Sequence, residues 1–244
     1  MFYLKLFYNE VFYRPLLGAL VFLTSVLPGH DLGFAVILLT IIIRVLTFPL
    51  THKMVKTQNA MRLIEPKVKK IHEDYKNKED QAKALMALYK EHGINPFSGF
   101  FSLLIQFPLL IALYQVFWKG IPFSPEEIYS FINLPVDVNT LFLGFIALTE
   151  PSVGMAALSG LSQFWQARLA LPKKTTPIKN DLPDRQASMS SAMQWQMVYV
   201  FPIIIFFISL KLPAAVGLYW TAMNVFAIVH EAMVRRQSLR DGGK

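Results

Sequence analysis

Residues 32–50 read LGFAVILLTIIIRVLTFPL, nineteen residues of almost unbroken apolar sequence holding one full charge, Arg44. A run of that length matches the roughly 20 residues a helix needs to cross a ~30 Å hydrocarbon core. An arginine well inside such a span costs about 2.5–3.5 kcal/mol on insertion scales, so it calls for a compensating environment. With the cytoplasmic boundary near Thr51, Arg44 lies about 10 Å inside at helical rise. A guanidinium snorkels over part of that distance and needs local water for the rest.

The remaining composition fits a membrane setting. Of 244 residues, 54% are hydrophobic and only 16% charged, and the charges are gathered into blocks between apolar runs. Soluble domains usually carry about a quarter charged residues, so an integral membrane protein is the class implied. The net charge of +8 is explained by basic cytoplasmic loops rather than by a nucleic-acid substrate. With no cysteine there is no disulfide framework, thiolate nucleophile or zinc-finger pattern.

Outward from the Arg44 span, the order of segments follows from polarity. Residues 1–31 read either as a signal segment or as an interfacial helix before the first span. The short apolar core and the lack of a small-residue cleavage site favour the interfacial helix, and Asp31 is placed to cap the span 32–51. Residues 52–95 are the most polar stretch, with apolar side chains at Met54, Met61, Ile64, Val68, Ile71 and Tyr75, then at Ala82, Leu85, Leu88 and Tyr89. That period predicts two amphipathic helices, restarted at Pro66 and ended at Gly93, which form a cytoplasmic hairpin. A second span is predicted at 96–118 and an extracytoplasmic segment at 119–151, whose apolar part at 139–148 is short enough to be an interfacial piece. The third span, 152–171, is rich in Gly, Ala and Ser, which permits close helix contact. A cytoplasmic loop (172–191), a fourth span (192–210), an outer turn with a fifth span (211–234) and a basic tail (235–244) complete the chain.

Orientation follows from lysine and arginine. Segments 52–95, 172–191 and 235–244 carry ten, four and four of them, against one each in 119–151 and 211–213. The positive-inside rule then places the amino terminus outside and the carboxyl terminus in the cytoplasm, consistent with five spans.

No glycine loop suited to phosphate and no paired catalytic side chains fall within a span, so neither a hydrolase nor a metal enzyme is indicated. The five histidines form no ligand pair at helical spacing. The intramembrane polar residues are Arg44, Gln106, Gln115, Trp220 and Asn224, with Thr40 and Tyr219 beside them. By helical rise Gln106 lies about 15 Å from the cytoplasmic edge, Trp220 about 10 Å below the outer face, and Arg44 about 10 Å above the inner one. No Asp or Glu stands in mid-span to neutralise Arg44. The residues leave two readings open: a wet cavity that receives an anion, or a snorkelling Arg44 with Gln106 and Trp220 as interhelical contacts.

Three stretches carry a resemblance: LTIIIRVLTFPLTHKMVKTQNAMRLIEPKVKKI (39–71), LYKEHGINPFSGFFSLLIQFPLLIALYQVF (88–117) and FPIIIFFISLKLPAAVGLYWTAMNVF (201–226). In order and spacing they resemble the YidC family of membrane protein insertases, in the small form without a large extracytoplasmic domain. The resemblance implies an all-α integral membrane protein of five transmembrane helices around a hydrophilic groove open to cytoplasm and lipid. It implies that Arg44, Gln106 and Trp220 line the groove, with Thr40, Tyr219 and Asn224 beside them, and that the cytoplasmic hairpin is mobile and needed for activity. It further implies a bacterial plasma membrane location, no cofactor, and nascent membrane proteins as substrates. Ribosome or signal-recognition machinery and a Sec translocon are the expected partners; the tail 235–244 is too short for a dedicated ribosome-binding extension. The alternative from a different class is a small anion or solute transporter using the same arginine-containing cavity, although no internal repeat supports it.

Overall fold

A computed structural model describes residues 2–75, 77–95, 98–119, 123, 125–132, 135, 137–170 and 195–241. The cytoplasmic loop expected at 172–191 and the side chain of Gln106 lie outside the described residues. Helix α1 (Phe2–Tyr8) runs through a π-helical turn, Asn9–Tyr13, into α2 (Arg14–Val26). After a short 3-10 turn, Asp31 caps α3 (Leu32–Leu46), its carboxylate accepting from the amides of Gly33 and Phe34 at 2.7 and 3.0 Å. That satisfies two of the amides a helix start leaves without partners.

The segment 32–51 is not one straight helix. Helix α3 stops at Leu46, Thr47 turns the chain, and α4 (Phe48–Leu63) leaves at 65°. Pro49 in the first turn of α4 explains the break, because it has no N–H for the carbonyl of Val45. Among the described residues no single helix combines the length and apolarity of a membrane span, while the bent pair Leu32–Leu46 and Phe48–Thr57 does so together.

Helix α5 (Glu65–Asp74) restarts at Pro66, which sits in its first turn where no donor is needed. Asn77 caps α6 (Lys78–Glu91), and Gly93 ends the arm in a left-handed conformation, φ 62°. The two arms share a small core of Ile64, Leu88 and Ile94 with Met61, Val68 and Ile71 against it. Helix α7 (Ser98–Lys119) follows, with Pro108 inside it.

The expectation of an all-α chain needs one correction. The apolar piece at 139–148 forms an antiparallel hairpin of β1 (Leu141–Phe142) and β2 (Ile146–Ala147), with Leu141 opposite Ala147 and Phe142 opposite Ile146. The run is too short to repay helix nucleation. Gly144 supplies a left-handed turn at φ 81°, and Asn139 gives its side chain to the amide of Leu141. Beyond it lie α8 (Val153–Ala170), a π-helical turn at Gln196–Val200 leading into α9 (Phe201–Ser209), and α10 (Ala214–Asp241).

Helix α10 packs between α8 and α3, and α9 lies along α8. Small residues set these contacts: a Cβ on Gly160 would stand 3.2 Å from both Pro202 O and Phe206 Cβ, and one on Gly217 would stand 3.3 Å from Met155. Ser159 Oγ donates to Ser209 Oγ at 2.9 Å across the α8–α9 contact. A continuous apolar core joins Tyr13, Leu20, Leu32, Leu113, Phe142, Leu148 and Val216, so the first two helices, α7 and the β-hairpin are all tied to the α3–α10 pair.

Candidate functional site

The break after α3 opens a small recess. Thr40, Ile43 and Arg44 come from α3, Thr47 from the bend, and Leu50, Thr51 and Met54 from α4. Leu109 of α7 and Tyr219 and Met223 of α10 close the other sides. Positions 40, 44, 47 and 51 recur every three or four residues, so one face of the bent segment carries Arg44 and three hydroxyls. Each threonine hydroxyl donates to a backbone carbonyl four residues back: Thr40 to Val36 at 2.7 Å, Thr47 to Ile43 at 2.8 Å and Thr51 to Thr47 at 3.1 Å. Their oxygens remain acceptors. None of the ion pairs among the described residues involves Arg44.

Of the residues expected at the groove, the structure brings Thr40, Arg44 and Tyr219 to this cavity. Trp220 and Asn224 are directed elsewhere. The indole N–H of Trp220 donates to Gln163 Oε1 at 2.9 Å and the Asn224 amide donates to Ser162 Oγ at 3.0 Å, both on α8. The reason is rotational: residues 219 and 223 share one face of α10, while 220 and 224 share the next, about 100° away. Helical rise put Trp220 and Arg44 both in the middle third of the core, and the resemblance put both on the groove; the helical phase turns Trp220 to the α8 interface.

Other lining residues were not singled out by sequence. The signal that could have found Thr47 and Thr51 is their spacing from Arg44, a polar stripe within an apolar run. The histidine pair carried no such signal. His52 Nδ1 and His230 Nε2 come within 3.2 Å although 178 residues separate them, and Phe48 stacks on His52 with ring centroids 5.4 Å apart. The pair joins α4 to α10 beyond Thr51. Among the described residues no group of three or more His, Cys, Asp or Glu is arranged to hold a metal.

At the far end of the bundle a polar clamp fixes the first helices. Tyr13 donates to Glu127 Oε2 at 2.6 Å, Lys119 donates to Glu127 Oε1 at 2.5 Å, and the Lys119 ammonium lies 4.4 Å from the Tyr13 ring centroid. Burial pushes the Glu127 carboxyl up, but hydrogen bonds from Lys119 and Tyr13 and the charges of Lys119 and Arg14 outweigh it, leaving Glu127 below the usual carboxylate range. Burial lowers Lys119, and its bonds to Glu127 and Tyr13 reverse this and raise it; burial and Glu127 raise Tyr13.

A family profile described as the 60Kd inner membrane protein matches residues 22–241. The membrane protein insertase YidC of Geotalea daltonii is 31% identical over 224 residues, covering 91% of this chain and 37% of that protein. The chain thus spans a little over a third of the length of that YidC relative. The membrane protein insertase MisCA of Bacillus subtilis is 27% identical over 240 residues, covering 96% of this chain and 81% of that protein. A solved structure, titled as an active YidC insertase with the first transmembrane domain resolved, superposes with a TM-score of 0.52 at 23% identity, covering 94% of this chain and 46% of that one. The superposition speaks for the fold. The chain belongs to the 60Kd inner membrane protein family, of the YidC type.

Proposed function

We propose that the chain is a membrane protein insertase that admits polar segments of a substrate to the Arg44 cavity and releases its apolar segments into lipid. The supporting observation is the placing of Arg44 among the hydroxyls of Thr40, Thr47 and Thr51, where α3 breaks from α4. Moving a polar tail across ~30 Å of hydrocarbon is costly because its backbone finds no hydrogen-bond partners there. A hydrated recess partway through shortens the dry distance. Arg44 attracts an acidic residue of the tail, by about 4 kcal/mol at ~4 Å and an effective dielectric near 20, before desolvation. Hydrophobic partitioning of the apolar segment, and the membrane potential acting on the acidic tail, drive release without nucleotide.

In this reading the protein stands in a bacterial plasma membrane with five spans, its amino terminus outside and its carboxyl terminus inside. Gln106 borders the groove, Trp220 and Asn224 hold the neighbouring face of α10 against α8, and nascent membrane proteins are its substrates. Ribosome, signal-recognition and Sec components are its partners. The test is insertion of a single-span substrate with an acidic tail into proteoliposomes. Arg44→Ala is expected to lower insertion at least about tenfold, equivalent to ~1.4 kcal/mol, and Arg44→Lys to retain most of it. Equal activity of the alanine variant would remove the charge-attraction step. Flux of a small anion into sealed vesicles, without insertion, would replace the whole reading with transport. A photocrosslinker at Leu109 or Met223 that never reaches a translating substrate would exclude the cavity as its path.

A further inference from the structure

The β-hairpin is apolar on both faces. One face packs inward: Phe142 is buried, Ile146 lies against the main core, and a Cβ on Gly33 would stand only 2.1 Å from the Phe142 ring. The opposite face and the turn present Leu141, Leu143 and Phe145, and Phe145 is 73% exposed. Residues 138–149 contain no charged side chain. A two-stranded antiparallel unit facing water on its outer side would alternate apolar inward with polar outward. This one does not. Its turn also holds Leu143 at φ 54°, a conformation that hairpins usually give to Asn, Asp or Gly.

Three bonds fix the hairpin to the ends of the long helices. The amide of Leu32 donates to Asn139 O at 3.0 Å, that of Ala215 to Leu148 O at 3.0 Å and that of Ala214 to Glu150 O at 2.8 Å. The turn is therefore held level with the first residues of α3 and α10. Its apolar surface continues directly onto α3, where half-exposed Phe34 stacks edge-on against Phe142 with centroids 5.5 Å apart. Exposed Trp118 at the end of α7 and Val153 at the start of α8 lie at corresponding helix ends. Trp at the end of a spanning helix marks the interfacial layer, so Trp118 sets the level of these helix ends.

We propose that residues 141–147 form a wedge that lies in the outer interfacial layer of the bilayer, with Leu141, Leu143 and Phe145 in contact with lipid. The occupant is lipid because the exposed face is uncharged and continuous with a helix face that, in the reading given above, already meets lipid; the inference rests on that reading. Immersion is shallow, since a two-stranded ribbon has unpaired backbone edges that cannot enter the hydrocarbon centre. The wedge fixes the depth of α3 and α10, and with them the height of the cavity.

The chain has no native cysteine, so single-cysteine variants report on one place each. Phe145→Cys, Lys83→Cys on α6 and Leu161→Cys on α8 are labelled with an environment-sensitive fluorophore and reconstituted in phospholipid vesicles with and without nitroxide-bearing lipid. All three positions are exposed, so no packing is lost. The Phe145 label is expected to emit to the blue of the Lys83 label, and to be quenched more by nitroxide near the headgroup than by nitroxide near the acyl end. A Phe145 label matching the Lys83 label, with Leu161 still quenched by lipid, overturns the wedge and leaves the membrane reading standing. A blue-shifted Phe145 label that lipid nitroxide does not quench assigns the patch to a protein contact and also overturns it. Absence of lipid quenching at Leu161 overturns both.

Discussion

The helical bundle and the hairpin of α5 and α6 are made of the same element by different means. In the bundle, α8, α9 and α10 meet through glycine and serine, and one core runs without interruption from Tyr13 to Met223. In the hairpin, the arms share three buried apolar side chains, Ile64, Leu88 and Ile94, with a few partly buried ones such as Met61, Val68 and Ile71 against them. Hydrophobic stabilisation scales with the area removed from water, so the hairpin holds its form by a small fraction of what holds the bundle. Regions with few buried contacts open locally at low cost. A well-packed frame around the cavity and a weakly held arm beside it suit the proposed insertase, which would first meet a flexible chain and then align it.

Removing the arm separates the two regions most sharply. Deletion of residues 60–90 is expected to abolish insertion in proteoliposomes while the bundle still assembles, as read by protease resistance and helicity of the remaining chain. Full insertion by the deleted chain would show that the arm is dispensable. Loss of bundle assembly would show that the two regions are one folding unit.

The converse variant acts on the bundle alone. Gly160→Leu forces a side chain against Pro202 O and Phe206, and overpacking of that kind costs about 1–3 kcal/mol. The thermal midpoint in detergent is expected to fall, while hydrogen exchange in α5 and α6 is unchanged. In the unmodified protein, amides of those two helices are expected to exchange at least about tenfold faster than those at the α8–α10 contact, a difference of roughly 1.4 kcal/mol in opening free energy. Equal protection would erase the distinction between frame and arm.

Much of this was legible in sequence where the cause is local. The Asp31 cap, the restart at Pro66 and the left-handed Gly93 each depend on residues within one turn. The apolar stripe of the hairpin was visible as a period, although Met54 turned out to line the cavity rather than the hairpin core. What sequence concealed was rotation and distance. Residues 219 and 220 are equally deep, and only the phase of α10 decides that one faces Arg44 and the other α8. His52 and His230 meet because α4 bends back toward α10, which no spacing announces. The β-hairpin was hidden because a ten-residue apolar run suits a short strand pair as well as an interfacial helix.

The smallest expected effect concerns electrostatics, and it again divides the two regions. The Tyr13–Glu127–Lys119 clamp joins parts of the chain over a hundred residues apart, whereas the hairpin's Lys83–Glu79 pair is a helical i,i+4 contact with side chains 69% and 76% exposed. Glu127 titrates below the usual carboxylate range, so its contribution is present above the unfolded-state value of about 4.3 and is lost as pH falls through its lower folded value. Lys119 and Tyr13 are raised; their contributions are complete below about 10 and disappear as pH climbs through their folded values. The clamp is thus intact across neutral pH and fails at both extremes. Lys119 and Glu127 are themselves 49% and 36% exposed, which limits the effect to the ~0.2–1 kcal/mol of solvated pairs. Thermal midpoints between pH 3 and pH 7 are expected to fall toward acid more steeply for the native chain than for Glu127→Gln, whereas Glu79→Gln follows the native curve. Identical curves for the native chain and Glu127→Gln would mean that apolar packing alone seats the first helices on the bundle.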